Sequence, residues 1–178
     1  MTLKDDKENA EREYVVKPIK MWLEKQKAKW DVYIPPTPNE IGWDLEARRP
    51  NMDILVEAKY ITSSFIGSFS SLVTSPLTKR SQHFMKTKDK SWCYHVCWAI
   101  GTNRDIEQIY QNIFDYIIRN LDFWKHYSED LKVYYVYFVS DKKVTRILFK
   151  KLLEIAENYK SKATGHKQDR VIAKRLMS

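Results

Sequence analysis

The chain has 178 residues, 43% hydrophobic and 30% charged, with a net charge of +8 and a pI near 9.3. That is enough chain for one domain with a sizeable core, and its positive charge favours an anionic partner. With four glycines and no Gly-rich phosphate loop, a P-loop or dinucleotide fingerprint is excluded; with two cysteines, so is a disulfide framework. The longest apolar run, Val133 to Val139, is far too short to span a membrane. The strongly charged first fourteen residues read as no signal peptide, and the cysteine usage as a reducing, intracellular (cytoplasmic) setting.

In chain order, residues 1 to about 8 read as a solvated lead-in. From about Asn9 to Lys29, Val15, Val16, Ile19, Trp22 and Leu23 recur at three- and four-residue intervals, which predicts a helix that Pro18 kinks or divides. Glu11 and Glu13 precede this stripe, and Glu11 shares its face with Val15 and Trp22; a solvated acidic first turn is the plain alternative to a role in a site. Trp30 to Ile34 reads as a strand ended by Pro35-Pro36-Thr37-Pro38-Asn39, and Glu40, just beyond, is a weaker candidate for a site. Trp43 to Arg48 and Met52 to Tyr60 read as two strands joined into a hairpin by Arg49-Pro50-Asn51.

Residues 61 to 75 are Ser/Thr-rich and read as a loop, either a substrate-facing flap or a plain connection. Ser75 as N-cap and Pro76 at the first helical position predict a helix to about Lys90, with Leu77, Phe84 and Met85 toward the core. Its basic residues, Lys79, Arg80 and Lys86 foremost, either hold a phosphate backbone or form a solvated face. Trp92 to Ile100 reads as a buried strand. Cys93, His95 and Cys97 share one face, but alternate side chains on a strand lie about 7 Å apart, so core packing is preferred over zinc. A helix from 104 to about 126 carries the stripe Ile106, Tyr110, Ile113, Ile117, Leu121 and Trp124. Leu131 to Val139 reads as a strand, and Ser140-Asp141 as the cap of a last helix to about Lys160, with Val144, Leu148, Leu152, Ile155 and Tyr159 inside. This order predicts one α/β domain over 1–160, a mixed β-sheet with an antiparallel meander plus parallel crossovers flanked by helices, and a basic tail over 161–178.

The chemistry concentrates in the hairpin. Strand alternation sets Glu57 and Lys59 on one face at the end of an apolar run, where charges are costly unless they pair or bind something. Hairpin pairing brings Asp44 beside Glu57. Two carboxylates suit Mg²⁺, which takes oxygen ligands from one or two carboxylates plus water and substrate phosphate. Lys59 can orient or help deprotonate an attacking water and offset charge on phosphate. The plain alternative is a cross-strand salt bridge.

Asp44, twelve residues, then Glu57-Ala58-Lys59 resembles the core motif of the PD-(D/E)XK nuclease superfamily, which includes restriction endonucleases and Holliday junction resolvases. The front of the motif departs from the family, with Gly42-Trp43-Asp44 in place of Pro-Asp. The resemblance implies a restriction endonuclease-like fold and a Mg²⁺-dependent DNA endonuclease, with Mn²⁺ able to substitute. It implies Asp44, Glu57 and the Ala58 carbonyl as metal ligands and Lys59 as the residue that positions water. It also implies an accessory glutamate on the first helix, best matched by Glu11, an accessory polar residue at Gln82, and a two-fold homodimer. Two alternatives stand beside it: a catalytically inactive nuclease-fold module that binds nucleic acid, and an unrelated α/β domain with a surface salt bridge.

Overall fold

The computed structural model describes residues 9–36, 42–62, 65–86 and 94–162; the side chains of 65–66, 80–86 and 161–162 fall outside that description. Glu40, Cys93 and the basic tail from residue 163 onward therefore lie outside the described residues. A π-helical stretch, Arg12–Val16, runs directly into helix α1, Lys17–Glu24. Then come β1 (Asp31–Tyr33), β2 (Leu45–Arg49), β3 (Met52–Ile61), α2 (Phe65–Lys86), β4 (Tyr94–Thr102), α3 (Ile106–Arg119), α4 (Leu121–Leu131), β5 (Val133–Ser140), β6 (Lys143–Leu148) and α5 (Phe149–Lys162).

Among the described residues the strands form one mixed six-stranded sheet in sequence order, β1 to β6. β1, β2 and β3 are an antiparallel meander, β3, β4 and β5 are parallel, and β6 folds back antiparallel on β5. The parallel steps need crossovers, which α2 supplies between β3 and β4, and α3 with α4 between β4 and β5. β4 is covered on both faces and reads accordingly as a nearly continuous buried run, with only His95 partly open. On one face Leu55, Trp98, Ile100, Val136 and Phe138 pack under the helices that follow β3. Trp98 is the hub there, with Phe69, Trp124, Tyr127 and Phe149 rings 5.1–5.8 Å away. On the other face Val56, Ala58, Cys97, Ala99 and Val139 lie under Val15, Val16, Ile19 and Leu23. Cys97 and His95 thus belong to packing: Cys97 is buried, and the His95 ring sits 4.7 Å from that of Tyr134.

Four expectations need correction. The segment read as a loop over 61–75 is mostly helix: α2 starts at Phe65, so Ser75 is no N-cap and Pro76 lies inside the helix. Ser68, Phe69, Leu72 and Pro76 are its buried stripe, spaced at helical intervals, and Leu77 points outward at 48% exposure. Burial of Phe69 and Leu72 outweighs the weak helix propensity of serine and threonine. The hydroxyl of Thr74 bonds back to the Ser70 carbonyl, and the Tyr127 hydroxyl donates to the Val73 carbonyl in the turn preceding Pro76.

Second, the segment from Lys143 to Leu148 is strand β6, not the start of the last helix. Asp141 and Lys142 both take left-handed φ values, 49° and 62°, and make a two-residue hairpin turn. Val144 and Ile147 belong to the alternation of an edge strand, and Leu148 is 42% exposed. Third, the helix expected over 104–126 breaks at Asn120, whose non-helical φ and ψ separate α3 from α4 and let both pack on α5. Fourth, the first helix ends at Glu24 rather than Lys29, because 25–29, KQKAK, has no apolar face to bury. Pro18 does divide that helix, at a change of helix type. Its ring has no N–H to donate and crowds the carbonyl four residues back, and the wider π-turn before it relieves this.

Candidate functional site

The site grows out of a mismatch in strand length. β3 has ten residues and its neighbour β2 has five, so pairing stops at Leu45 with Val56. Among the described residues no strand lies beside the edge of β3 beyond Val56, and its N–H groups there find other acceptors. Two carboxylates supply them. Asp44 Oδ2 accepts from the Ala58 N–H at 2.6 Å, and Glu11 Oε2 accepts from the Tyr60 N–H at 3.3 Å. Strand alternation places the Ala58 carbonyl on the same open edge.

Glu57 lies between them on the adjoining face and is almost wholly buried. On the β4 side its partner is Trp98, at the centre of the aromatic cluster; on the other side is Asp44, whose N–H bonds the Val56 carbonyl. Two lysines offset this charge. Lys59 Nζ stands 3.3 Å from Glu11 Oε1 and 3.5 Å from Glu57 Oε1. Lys79 Nζ, from α2, stands 2.5 Å from Glu57 Oε2 and 3.9 Å from Asp44 Oδ1, with the Trp43 ring 5.9 Å away.

Burial dominates the electrostatics. It pushes the Glu57 carboxyl upward, Asp44 adds to the push, and Lys59 and Lys79 oppose it without cancelling it. Burial likewise raises Glu11 to about 7, with Lys59 opposing and Asp44 adding. For Lys59 burial works against the charge, but Glu11, Glu57 and Asp44 outweigh it, and its pKa is raised. Lys59 is therefore held as an ammonium, a donor and a positive charge, which disfavours a general-base role at neutral pH.

Gly101 sets the approach of Glu11 to the strand. On β4, beside Tyr60, an added Cβ would lie 2.6 Å from Val15 Cγ2 and 3.5 Å from the Tyr14 carbonyl. The bare backbone lets the π-turn lie against the sheet, and Glu11 is one turn upstream of Val15. The Tyr14 and Tyr60 rings stack at 5.2 Å on the same side. Glu13, the other glutamate considered, pairs with Lys17 on the exposed side of the helix.

The structure brings Asp44, Glu57, Lys59 and Glu11 together around the end of β3. Lys79, read in the sequence as either a phosphate-backbone contact or part of a solvated face, lies at the cluster itself, only 19% exposed and turned onto carboxylates. It continues the buried stripe of α2 one turn past Pro76, a helical spacing present in the sequence but obscured by the serines. Arg80, Gln82 and Lys86 lie on α2 with side chains outside the described residues.

No group of three or more His, Cys, Asp or Glu side chains among the described residues is arranged to hold a metal ion. The donor set still suits a hard divalent cation: Asp44 and Glu57 already share one cation, the Lys79 ammonium, and Mg²⁺ is commonly held by one or two carboxylates with water completing its shell. No helix among the described residues is long and apolar enough to cross a membrane. No family model, curated protein or solved structure matches this chain.

Proposed function

We propose that the chain is a metal-dependent nuclease of the PD-(D/E)XK type, with a restriction endonuclease-like fold, that hydrolyses phosphodiester bonds of DNA. The observation that carries this reading is the convergence of Asp44, Glu57 and Lys59 at the open end of β3, in a protein of net charge +8. Two carboxylates and an ammonium at the end of a buried strand are costly to the fold, which is where functional groups concentrate. A bound Mg²⁺ would supply Lewis-acid activation of a water and of the phosphate oxygens. In this reading Asp44 and Glu57 hold the metal, with the Ala58 carbonyl on the same edge. The Ala58 N–H orients the Asp44 carboxylate, since it uses one oxygen and leaves the other. Lys59 donates to the attacking water and offsets charge on the phosphoryl oxygens. Glu11 keeps Lys59 charged and aimed. Cutting both strands of a duplex calls for two such sites, so a two-fold homodimer belongs to the proposal.

A second reading, a nucleic-acid-binding module without catalysis, is favoured by Lys79: with that ammonium in place Asp44 and Glu57 are already compensated. One experiment separates the two. Wild type, Glu57→Ala and Lys59→Ala are incubated with plasmid, single-stranded DNA and a four-way junction, each with and without Mg²⁺ or Mn²⁺. Metal-dependent cutting lost in both variants supports the nuclease, and the preferred substrate distinguishes a restriction-like from a resolvase-like role. Salt-sensitive binding without cutting supports the module. Neither binding nor cutting refutes both and leaves a structural ion-pair cluster.

A further inference from the structure

The site's charge count depends on Lys79. Counted with every carboxyl ionised, Glu11, Asp44 and Glu57 bring three carboxylates, and Lys59 and Lys79 two ammonium groups, for a formal charge of −1. Remove Lys79 and the count is −2, with Asp44 and Glu57 facing each other at the edge of a buried aromatic cluster. Lys79 reaches this place from α2, the crossover helix between β3 and β4, not from the hairpin. It lies closest to the most buried carboxylate, where a competing ligand gains most from displacing it. It also lies on the face of Glu57 opposite Lys59: Lys79 is paired with Oε2 and Lys59 with Oε1. One carboxylate is thus divided between two cations that play different parts, a fixed one braced by Glu11 and a second one arriving from α2.

We propose that Lys79 is a resident counter-ion that occupies the cation position between Asp44 and Glu57, and that a divalent ion enters only by displacing its ammonium. This inference rests on the metal-dependent reading of the site. The exchange is balanced: a 2+ ion replaces a 1+ group, the local charge goes from −1 to +1 if the ammonium stays near and to 0 if it leaves, and no proton need be released. The displaced lysine has a positive charge at the site mouth and no carboxylate to hold it, which attracts the phosphodiester. Without metal the same lysine keeps the two carboxylates compatible with the fold. Metal affinity is consequently set by a competition inside the protein as much as by the ligands.

The test is calorimetric titration of the full chain with Mn²⁺, for wild type, Lys79→Met, Lys79→Arg and Glu57→Gln. Losing a charged hydrogen-bond competitor is expected to tighten Mn²⁺ binding in Lys79→Met by roughly ten- to a hundredfold, while Lys79→Arg stays near or below wild type. Binding in Lys79→Met alone, with none in wild type, also supports the proposal. Equal or weaker binding in Lys79→Met, with clear binding in wild type abolished by Glu57→Gln, overturns it and leaves the metal reading standing. No binding in any variant overturns both. A measurement on wild type alone guards against misfolding of the variants: acylation of Lys79 by an amine-reactive reagent, read by peptide mass spectrometry, is expected to rise several-fold when Mn²⁺ is added. An unchanged rate under conditions where Mn²⁺ binds overturns the displacement.

Discussion

Replacing Gly101 by alanine sets two effects of opposite sign against each other. Its φ is not in the left-handed region, so alanine fits the backbone. On conformational entropy alone the substitution stabilises by about 0.5–1 kcal/mol. Packing says the reverse. The new Cβ would stand 2.6 Å from Val15 Cγ2 and 3.3 Å from the Tyr60 ring, against an optimum of about 3.5–4.0 Å between carbons. Val15 is fully buried and β-branched, so its methyl cannot swing aside; the π-turn must lift from the sheet. Overpacking costs about 1–3 kcal/mol, and a 2.6 Å contact with a fixed methyl belongs to its upper half, about 2–3 kcal/mol, which leaves a net loss of about 1–2.5 kcal/mol. Urea unfolding followed by circular dichroism reads that number. Amide exchange at Tyr60 reads the local consequence, because lifting the turn withdraws Glu11 from the Tyr60 N–H. Adding Val15→Ala removes the clashing methyl, so the double variant should lose less stability than the sum of the singles by about 1 kcal/mol or more. A Gly101→Ala protein as stable as wild type, or strict additivity with Val15→Ala, refutes the claim that this glycine sets the helix's approach.

Glu11 provides a pH test. Its carboxyl, raised from 4.5 to about 7, holds its proton in the folded state over a range where the unfolded chain has lost it. That stability is fully present below about 4.5 and is lost as pH rises through about 7, on the order of 3 kcal/mol. The gap in unfolding free energy between Glu11→Gln and wild type should therefore change by about that amount between pH 4.5 and 8, and parallel curves would reject it. Burial pushes the Cys97 thiol up to about 12, so in a Cys93→Ser background native protein should resist iodoacetamide at pH 8 and react fully in urea; rapid native labelling contradicts the packing described. Asp141→Asn with Lys142→Gly suits a turn with two left-handed residues and should stabilise by about 1 kcal/mol, raising Tm by about 2–4 °C; a lower Tm means the turn is not as described.

The site was more legible than the framework around it. Asp44, Glu57 and Lys59 stand out because strand alternation is a short-range rule: the register of a hairpin follows from its turn, and Arg49-Pro50-Asn51 marks that turn. Glu11 stood out from Glu13 in the sequence because it shares the helix face of Val15 and Trp22. How closely that face approaches the sheet depends on the space left by Gly101, ninety residues away. The helical stripe of α2 was masked by its serines and threonines, whose local preference for turns is overruled only by burial against Trp98 and Tyr127. β6 was read as helix because Val144 and Leu148 are four apart, a spacing that also fits a strand when the residues between alternate.

The sequence by itself determined a mixed α/β chain, a central apolar strand set, and a hairpin bearing an acid at 44 and an acid-x-lysine at 57–59. These follow from periodicity and turn chemistry, which act over a few residues. Tertiary structure decided which groups complete the cluster. Glu11 and Lys79 come from helices on opposite faces of the sheet and meet β3 where β2 ends. No local pattern carries that information, because it arises from the difference in length between two paired strands and from the way the helices pack over it.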